Sequence, residues 1–257
     1  MALPPEWITP AWPAPAHVRA ACSTRSGGAS RAPYDSLNLG DHVGDLPGDV
    51  ATNRKIFRQS LGVRPVFLSQ VHGRDVIEVD AQTPDGTQAD GCLTSNRGLA
   101  CTIMVADCLP LLFTTRAGTI VAAAHAGWRG LAGEDGHGIV EAIIGKLQAH
   151  SDAHAADVIA WLGPCIGPQS FEVGDEVKQA FELHDEHAAS HFSPHAHGKW
   201  LADLQGLARR RLRALGIESI HGNDGGLAWC TVANASRFFS HRRDRVSGRF
   251  AAAVWRV

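Results

Sequence analysis

Residues 99–130 read "LACTIMVADCLPLLFTTRAGTIVAAAHAGWRG". Two apolar runs, 99–115 and 118–127, follow one another almost without the alternating polar positions of a sheet face in water, so both predict strands covered on both faces. Pro110 marks the expected break in the first run, because proline cannot donate to a ladder. The second run ends in an imidazole, His125, followed by Gly127, Trp128, Arg129 and Gly130. A histidine closing an otherwise apolar strand needs a chemical reason.

Working outward, "PVFLSQV" (65–71) and "DVIEVD" (75–80) predict two further strands, expected as a hairpin across His72, Gly73 and Arg74. Before them, "GDVATNRKIFRQSL" (48–61) predicts a helix with Asp49 near its positive end. A strand is expected in 17–25, after an irregular, Pro- and Trp-rich arm over 1–16. The Gly/Ser-rich stretch 26–45 is long for a connector, which often accompanies function. Downstream, 133–150 has helical spacing at Ile139, Ala142, Ile143 and Leu147. A strand over 157–163, helices near 174–183 and 201–215, and short strands near 216–222, 227–230 and 249–257 complete the pattern. The intermixing lacks regular βαβ spacing or internal repeats, and predicts an α/β fold: one domain over 17–257 with a mixed sheet flanked by helices.

Composition narrows the function classes. A chain of 257 residues with 44% hydrophobic content can bury a large core. A net charge of -2, from 24 basic and 26 acidic residues, gives no footprint for nucleic acid or an anionic membrane, so a small-molecule partner is expected. The N-terminus has neither a basic region nor an apolar core of signal-peptide type, and no run reaches membrane-span length; a cytoplasmic protein is expected. The six cysteines are not paired as CxxC and are expected to be reduced. Oligomeric state is left open.

Three strand ends carry chemistry-bearing residues: His72 in "LSQVHG", Cys108 in "VADCLP" and His125 in "AAAHAG". Two imidazoles and a thiolate suit zinc, with a fourth position open, as in catalytic rather than structural sites. Their separations, 36 and 17 residues, match no local zinc motif, so a buried or merely hydrogen-bonded role stays open for each. Cys108 near two histidines is also the arrangement of a cysteine nucleophile. A His2Cys set with an axial Met would suit copper. Met104, however, lies four residues back along an extended strand, roughly 13 Å away, and the chain has a single HxH, His195 and His197. Copper therefore ranks below zinc.

The stretches "SLNLGDHVGD", "LSQVHG", "ADCLPLL", "HAGWRG", "GPCIGPQSFEVG" and "FFSHRR" occur in order along nearly the whole chain and resemble the motifs of the YfiH-like family, also called laccase-domain proteins or peptidoglycan editing factor. The resemblance implies a zinc held by His72, Cys108 and His125, and an α/β fold likened to cysteine-hydrolase-like toxins. It also implies phosphorolysis of adenosine, inosine, guanosine and methylthioadenosine, with adenosine deamination beside it. A phosphate nucleophile needs a charged, fixed partner, which makes Arg25, Arg129 and Arg242 the candidate substrate-binding residues. Zinc deaminases use a Glu in an H-x-E motif; none is present, leaving Asp107 or a remoter carboxylate as proton shuttle. Other readings are a cysteine-type hydrolase editing peptidoglycan precursors, a copper polyphenol oxidase, and a non-catalytic module binding zinc or nucleosides. The five histidines in 184–197 are expected at the surface, and Cys165 in packing.

Overall fold

The two apolar runs enter different sheets. The structure, a computed structural model, describes residues 3–151 and 153–257. A five-stranded sheet has the order β1 (Val18–Cys22), β14 (Phe250–Arg256), β6 (Leu99–Val105), β2 (Arg64–Ser69) and β4 (Thr87–Gln88). A six-stranded sheet has the order β13 (Ser219–Gly222), β9 (Val158–Leu162), β7 (Leu109–Thr115), β8 (Val121–Ala126), β5 (Gly91–Thr94) and β3 (Val76–Glu78). A small third sheet joins β10 (Glu172–Val173), β12 (Trp200–Ala202) and β11 (Phe192–Pro194). Both large sheets mix parallel and antiparallel neighbours. The expectation of one mixed sheet is therefore corrected to three.

Side-chain alternation explains why the runs look apolar throughout. In β6, Leu99, Cys101, Ile103 and Val105 enter a core between the two large sheets, joined there by Cys92, Leu112, Val121, Ala123 and Trp161 of the six-stranded sheet. Ala100 and Met104 point the other way, onto a second core with Phe57 and Leu61 of helix α1 (Pro47–Leu61). In β8, Ala122, Ala124 and Ala126 face a third core against helix α3 (Ile139–Ser151) and helix α5 (Leu204–Ala214). The molecule is thus a four-layer stack, helix, sheet, sheet, helices, and every central strand is buried on both faces. By the period of two, His125 shares the inter-sheet face of Val121 and Ala123.

Helix α1 begins one residue earlier than expected, with Pro47 in its first turn, and ends at Gly62, whose φ of 71° lets its N–H close on the Arg58 carbonyl. Helices α2 (Trp128–Ala132), α4 (Asp175–Glu182) and α6 (His241–Asp244) are short. The arm before β1 has no long element among its described residues, but it is fastened: Ile8 bridges Cys22, and buried Trp7 packs 5.2 Å from Phe57.

Several local expectations change. The break in 99–115 falls at Ala106–Cys108, where the chain leaves one sheet for the other with Asp107 at φ 96°, and not at Pro110. Pro110 sits inside β7, opposite His125; on the β9 side its carbonyl accepts the Gly163 N–H at 2.9 Å, and Asn223 Nδ2 donates to the Gly163 carbonyl at 2.9 Å in place of the missing N–H. The hairpin across His72–Arg74 does not form, because β2 belongs to the five-stranded sheet and β3 to the six-stranded one. Residues 227–229 form a 3-10 turn instead of a strand.

Candidate active site

Two crossings between the large sheets and one strand end each place a side chain at the same end of the inter-sheet core. His72 lies on the passage from β2 to β3, Cys108 on the passage from β6 to β7, and His125 near the end of β8. Their ligand atoms all lie within 4.8 Å of one another, so the cluster could hold a metal ion. The Cys108 Sγ to His72 Nε2 separation is 3.6 Å. Two donors bound tetrahedrally at zinc–nitrogen and zinc–sulfur lengths would stand about 3.6 Å apart. The two imidazole rings meet edge to face at 4.7 Å. His125 is buried, Cys108 half-buried and His72 exposed, so the cluster opens to solvent on the His72 side.

Asp90 organises this cluster. It is fully buried ahead of β5 and its carboxylate accepts four hydrogen bonds: from the backbone N–H groups of Val71 (3.2 Å), His72 (2.9 Å) and Gly73 (2.7 Å), and from His125 Nδ1 (2.8 Å). The last bond fixes the His125 tautomer and leaves Nε2 for a ligand. The first three hold the loop in which His72 adopts φ 62°, a conformation that side chains rarely take. One carboxylate therefore aims two of the three donors. Burial alone would raise its pKa, but the hydrogen bond and charge of His125 and the loop N–H groups outweigh burial and hold it below the usual range.

Cys108 and His125 shift in opposite directions. Burial would raise the thiol, yet the charge and hydrogen bond of His125, with those of His72, bring it down to about 6. Burial would lower His125, but the Cys108 thiolate and Asp90 lift it to about 9. The metal-free pair is a thiolate beside an imidazolium.

A cavity of about 380 Å³ opens onto the cluster, within the usual range of small-molecule sites. Its apolar lining includes Met104, Val105, Ile166, Phe171 and Leu204; its cationic or polar lining includes His42, His241, Arg129, Arg242 and Arg249. Arg129 lies at the rim with its Cζ 4.4 Å from the Trp128 ring. Arg242 donates Nη1 to the Glu172 carbonyl at 2.9 Å and lies 5.5 Å from the Phe171 ring. Arg25 does not join them. Its guanidinium is engaged by Asp35 and the Ala235 carbonyl over Phe239, in a separate surface pocket, so its candidacy at this site is set aside.

Asp107 lines the cavity, but both its carboxylate oxygens accept hydrogen bonds, from Thr231 Oγ1 (2.6 Å) and the Arg242 backbone N–H (2.6 Å). It anchors the start of α6 next to Cys108, an arrangement that suits positioning rather than proton transfer. Cys165 is buried with its Sγ bonded to Asn223 Nδ2 at 3.3 Å, and burial pushes its thiol far up, as befits packing. Of the five histidines in 184–197, four are exposed and His191 is half-buried. His72, Cys108 and His125 form the one three-donor cluster found among the described residues.

Residues 19–257 match the family described as multi-copper polyphenol oxidoreductase laccase. The protein belongs to that family. A Pseudomonas aeruginosa member named purine nucleoside phosphorylase is 50% identical over 97% of this chain and 98% of its own. An Escherichia coli member, named purine nucleoside phosphorylase YfiH, is 46% identical with the same coverage. Among solved structures of the family, Neisseria meningitidis NMB0706 superposes with a TM-score of 0.89 at 41% identity, over 98% of this chain and 99% of that one. Geobacillus stearothermophilus YlmD gives 0.83 at 31% identity, over 94% and 92%. These relatives support an enzyme with a phosphorylase-like activity and a single-domain α/β fold with mixed sheets flanked by helices. No helix among the described residues is long and apolar enough to cross a membrane.

Proposed function

We propose that the protein is a zinc-dependent purine nucleoside phosphorylase, acting on adenosine, inosine, guanosine and methylthioadenosine in the cytoplasm, with adenosine deaminase activity at the same pocket. The observation that carries the reading is the composition of one cavity: a His72–Cys108–His125 donor set, apolar side chains that suit a purine, and arginines for an anion. Its chemistry fits zinc: one thiolate, two imidazoles, one of them oriented by a carboxylate, and open space beyond them.

Bound zinc would supply Lewis-acid activation of the nucleoside or of water. The remaining steps fall to the chain's own residues. Ile166, Phe171 and Leu204 offer the base a dry face, and Arg242, held against Phe171, and Arg129 at the rim offer charge. In phosphorolysis, a phosphate oxygen forms a bond to C1′ while the C1′–N9 bond breaks and its electron pair leaves on the purine; the proton of hydrogen phosphate balances the departing base. Deamination exchanges the exocyclic amine of adenosine for a water oxygen and releases ammonia. With both Asp107 oxygens engaged, His42 and His241 are the pocket's candidates for moving a proton. The decisive experiment incubates purified protein with each nucleoside, with and without phosphate. Ribose 1-phosphate marks phosphorolysis, inosine from adenosine marks deamination, and neither product from any nucleoside defeats the reading.

A second reading has one observation in its favour. The thiolate–imidazolium character of Cys108 and His125 is also that of a cysteine nucleophile, and would serve a hydrolase editing peptidoglycan precursors. Copper oxidation is disfavoured. Met104 Sδ stands 4.0 Å from Arg54 Nη2, and one donor cluster among the described residues falls short of the several coppers such oxidases use. A zinc- or nucleoside-binding module would bind nucleoside without consuming phosphate, so the same incubation separates it.

A further inference from the structure

One cation in the pocket was not singled out by any sequence motif. Arg249 lies just before β14, half-buried, and lines the cavity together with Cys108. Its Nη1 donates to the Ser247 and Gly248 carbonyls at 2.8 and 3.0 Å. Its Nε and Nη2 have no hydrogen-bond partner among the described residues, and no carboxylate among them lies within ion-pair distance. Burial lowers its pKa, against the opposing charges of Cys108, Asp107 and Tyr34. A guanidinium withdrawn from water without a carboxylate is costly, and the usual resolution is an anionic ligand.

The surroundings are built to hold this arginine in place. Asn38, fully buried, accepts the Arg249 backbone N–H at 2.8 Å and the Gly40 N–H at 2.9 Å through the same Oδ1. Gly40 is open on the side where the arginine stem passes: a Cβ there would stand 2.8 Å from Arg249 Cγ and 3.2 Å from its Cβ. The long loop before α1 thus serves as the wall that fixes a cation at the pocket. His42, on the same loop, is held below the usual imidazole range by partial desolvation and then by the charge of Arg249, which keeps this end of the cavity from a second fixed proton.

The other two arginines also show no carboxylate partner among the described residues, but they are differently placed. Arg242 has Nη1 on a carbonyl and its plane near Phe171, and Arg129 is exposed against Trp128. We infer that Arg249 is the principal anchor for the inorganic phosphate nucleophile, presenting Nε and Nη2 as a fork to two phosphate oxygens. This inference rests on the phosphorylase reading and deepens it: Arg242 and Arg129 then serve the base and the rim, and the loop carrying Asn38 and Gly40 is part of the anion site. Fork geometry suits arginine and not lysine, because two parallel N–H groups reach two oxygens of one anion.

The test uses Arg249→Gln, Arg249→Lys and Gly40→Ala in the full chain, with two readouts. The first is the apparent KM for phosphate and for nucleoside; the second is inorganic phosphate binding without nucleoside, followed by calorimetry or phosphorus NMR line broadening. Arg249→Gln should raise the phosphate KM by about tenfold or more while changing the nucleoside KM by no more than about twofold, and should weaken phosphate binding in parallel. Arg249→Lys should fall between, since charge remains and the fork is lost. Gly40→Ala keeps the arginine but displaces its stem, and should raise the phosphate KM in the same direction; it keeps the inference testable if Arg249→Gln fails to fold. An unchanged phosphate KM and unchanged phosphate binding in the variants overturn the inference while leaving the phosphorylase reading intact. Phosphate binding that depends on Arg249 in a protein that forms no ribose 1-phosphate supports the anion site and removes the phosphorylase reading instead.

Discussion

Replacing Asp90 by Asn tests how the donor cluster is held. The side chain stays nearly isosteric, but its charge goes and one oxygen becomes an amide donor. Four hydrogen bonds converge on this carboxylate, three from the loop bearing His72 and one from His125 Nδ1. One oxygen accepts from Val71 and Gly73 and the other from His72 and His125, so an amide, which accepts at one oxygen only, turns its NH2 either on two loop N–H groups or on one loop N–H and His125, and two native bonds are lost. Hydrogen bonds to charged groups contribute about 1.5–3 kcal/mol each, and a buried N–H left unpaired costs about 1–3 kcal/mol. A stability loss of roughly 2–5 kcal/mol is therefore expected, measured by chemical denaturation of the metal-free protein. Zinc affinity should fall about 10- to 100-fold, the usual effect of removing the carboxylate behind a ligating histidine. That affinity is read by competition with a chromophoric chelator under conditions where the variant remains folded. Wild-type zinc affinity in folded Asp90→Asn would refute the idea that Asp90 aims His72 and His125.

Other outcomes follow from the same geometry. Gly127→Ala places a Cβ 2.7 Å from His72 Cδ2 and 3.1 Å from Cys108 Sγ, so it should part the donors and lower zinc affinity by about tenfold or more without a large loss of stability; titration with the chelator and a thermal melt check the two halves. In metal-free protein, iodoacetamide should label Cys108 with a rate that rises as pH climbs through about 6, because the lowered pKa leaves the thiolate populated above that point and lost below it. A midpoint near that of an ordinary thiol, about 8.5, would contradict the thiolate–imidazolium pair. Zinc should slow the labelling, and chelation should restore it. Arg25→Ala should leave both substrate KM values unchanged, since its guanidinium is engaged by Asp35 and Ala235 away from the cavity, whereas Arg242→Ala should raise the nucleoside KM by about tenfold.

The sequence made the strands legible because burial on both faces leaves a local mark: a run such as 119–126 has almost no polar residue to place it in water. It also marked the donors, since His72, Cys108 and His125 each close or follow such a run. Which sheet a strand joins is not local information, and the hairpin across His72–Arg74 failed for that reason: a short connection can turn back or cross to the facing sheet. The break at Ala106–Cys108 was hidden because the crossing is made by three residues with Asp107 in a rare conformation, while the nearby proline drew attention to the wrong place. Asp90 and Arg249 carried no signal of their own. Asp90 is one carboxylate in "QADGC", and its importance lies in four partners, one of them 35 residues away. Arg249 is one arginine in "SGRF"; Arg129 and Arg242 also show no carboxylate partner among the described residues, and what sets Arg249 apart is its burial and the Asn38–Gly40 loop that fixes it, a property of the folded pocket. Arg25 erred the other way: inside a suggestive glycine-rich stretch, it is folded onto Asp35 and Phe239.

The most direct test of a zinc-dependent phosphorylase is one incubation series with inosine: metal-free protein, the same protein after zinc is restored, and the Cys108→Ser variant, each with and without phosphate, with metal content verified and ribose 1-phosphate quantified. The expected result is ribose 1-phosphate only where phosphate, zinc and Cys108 are all present, with activity returning in proportion to bound zinc. Full turnover by verified metal-free protein, or no ribose 1-phosphate under any condition, would contradict it.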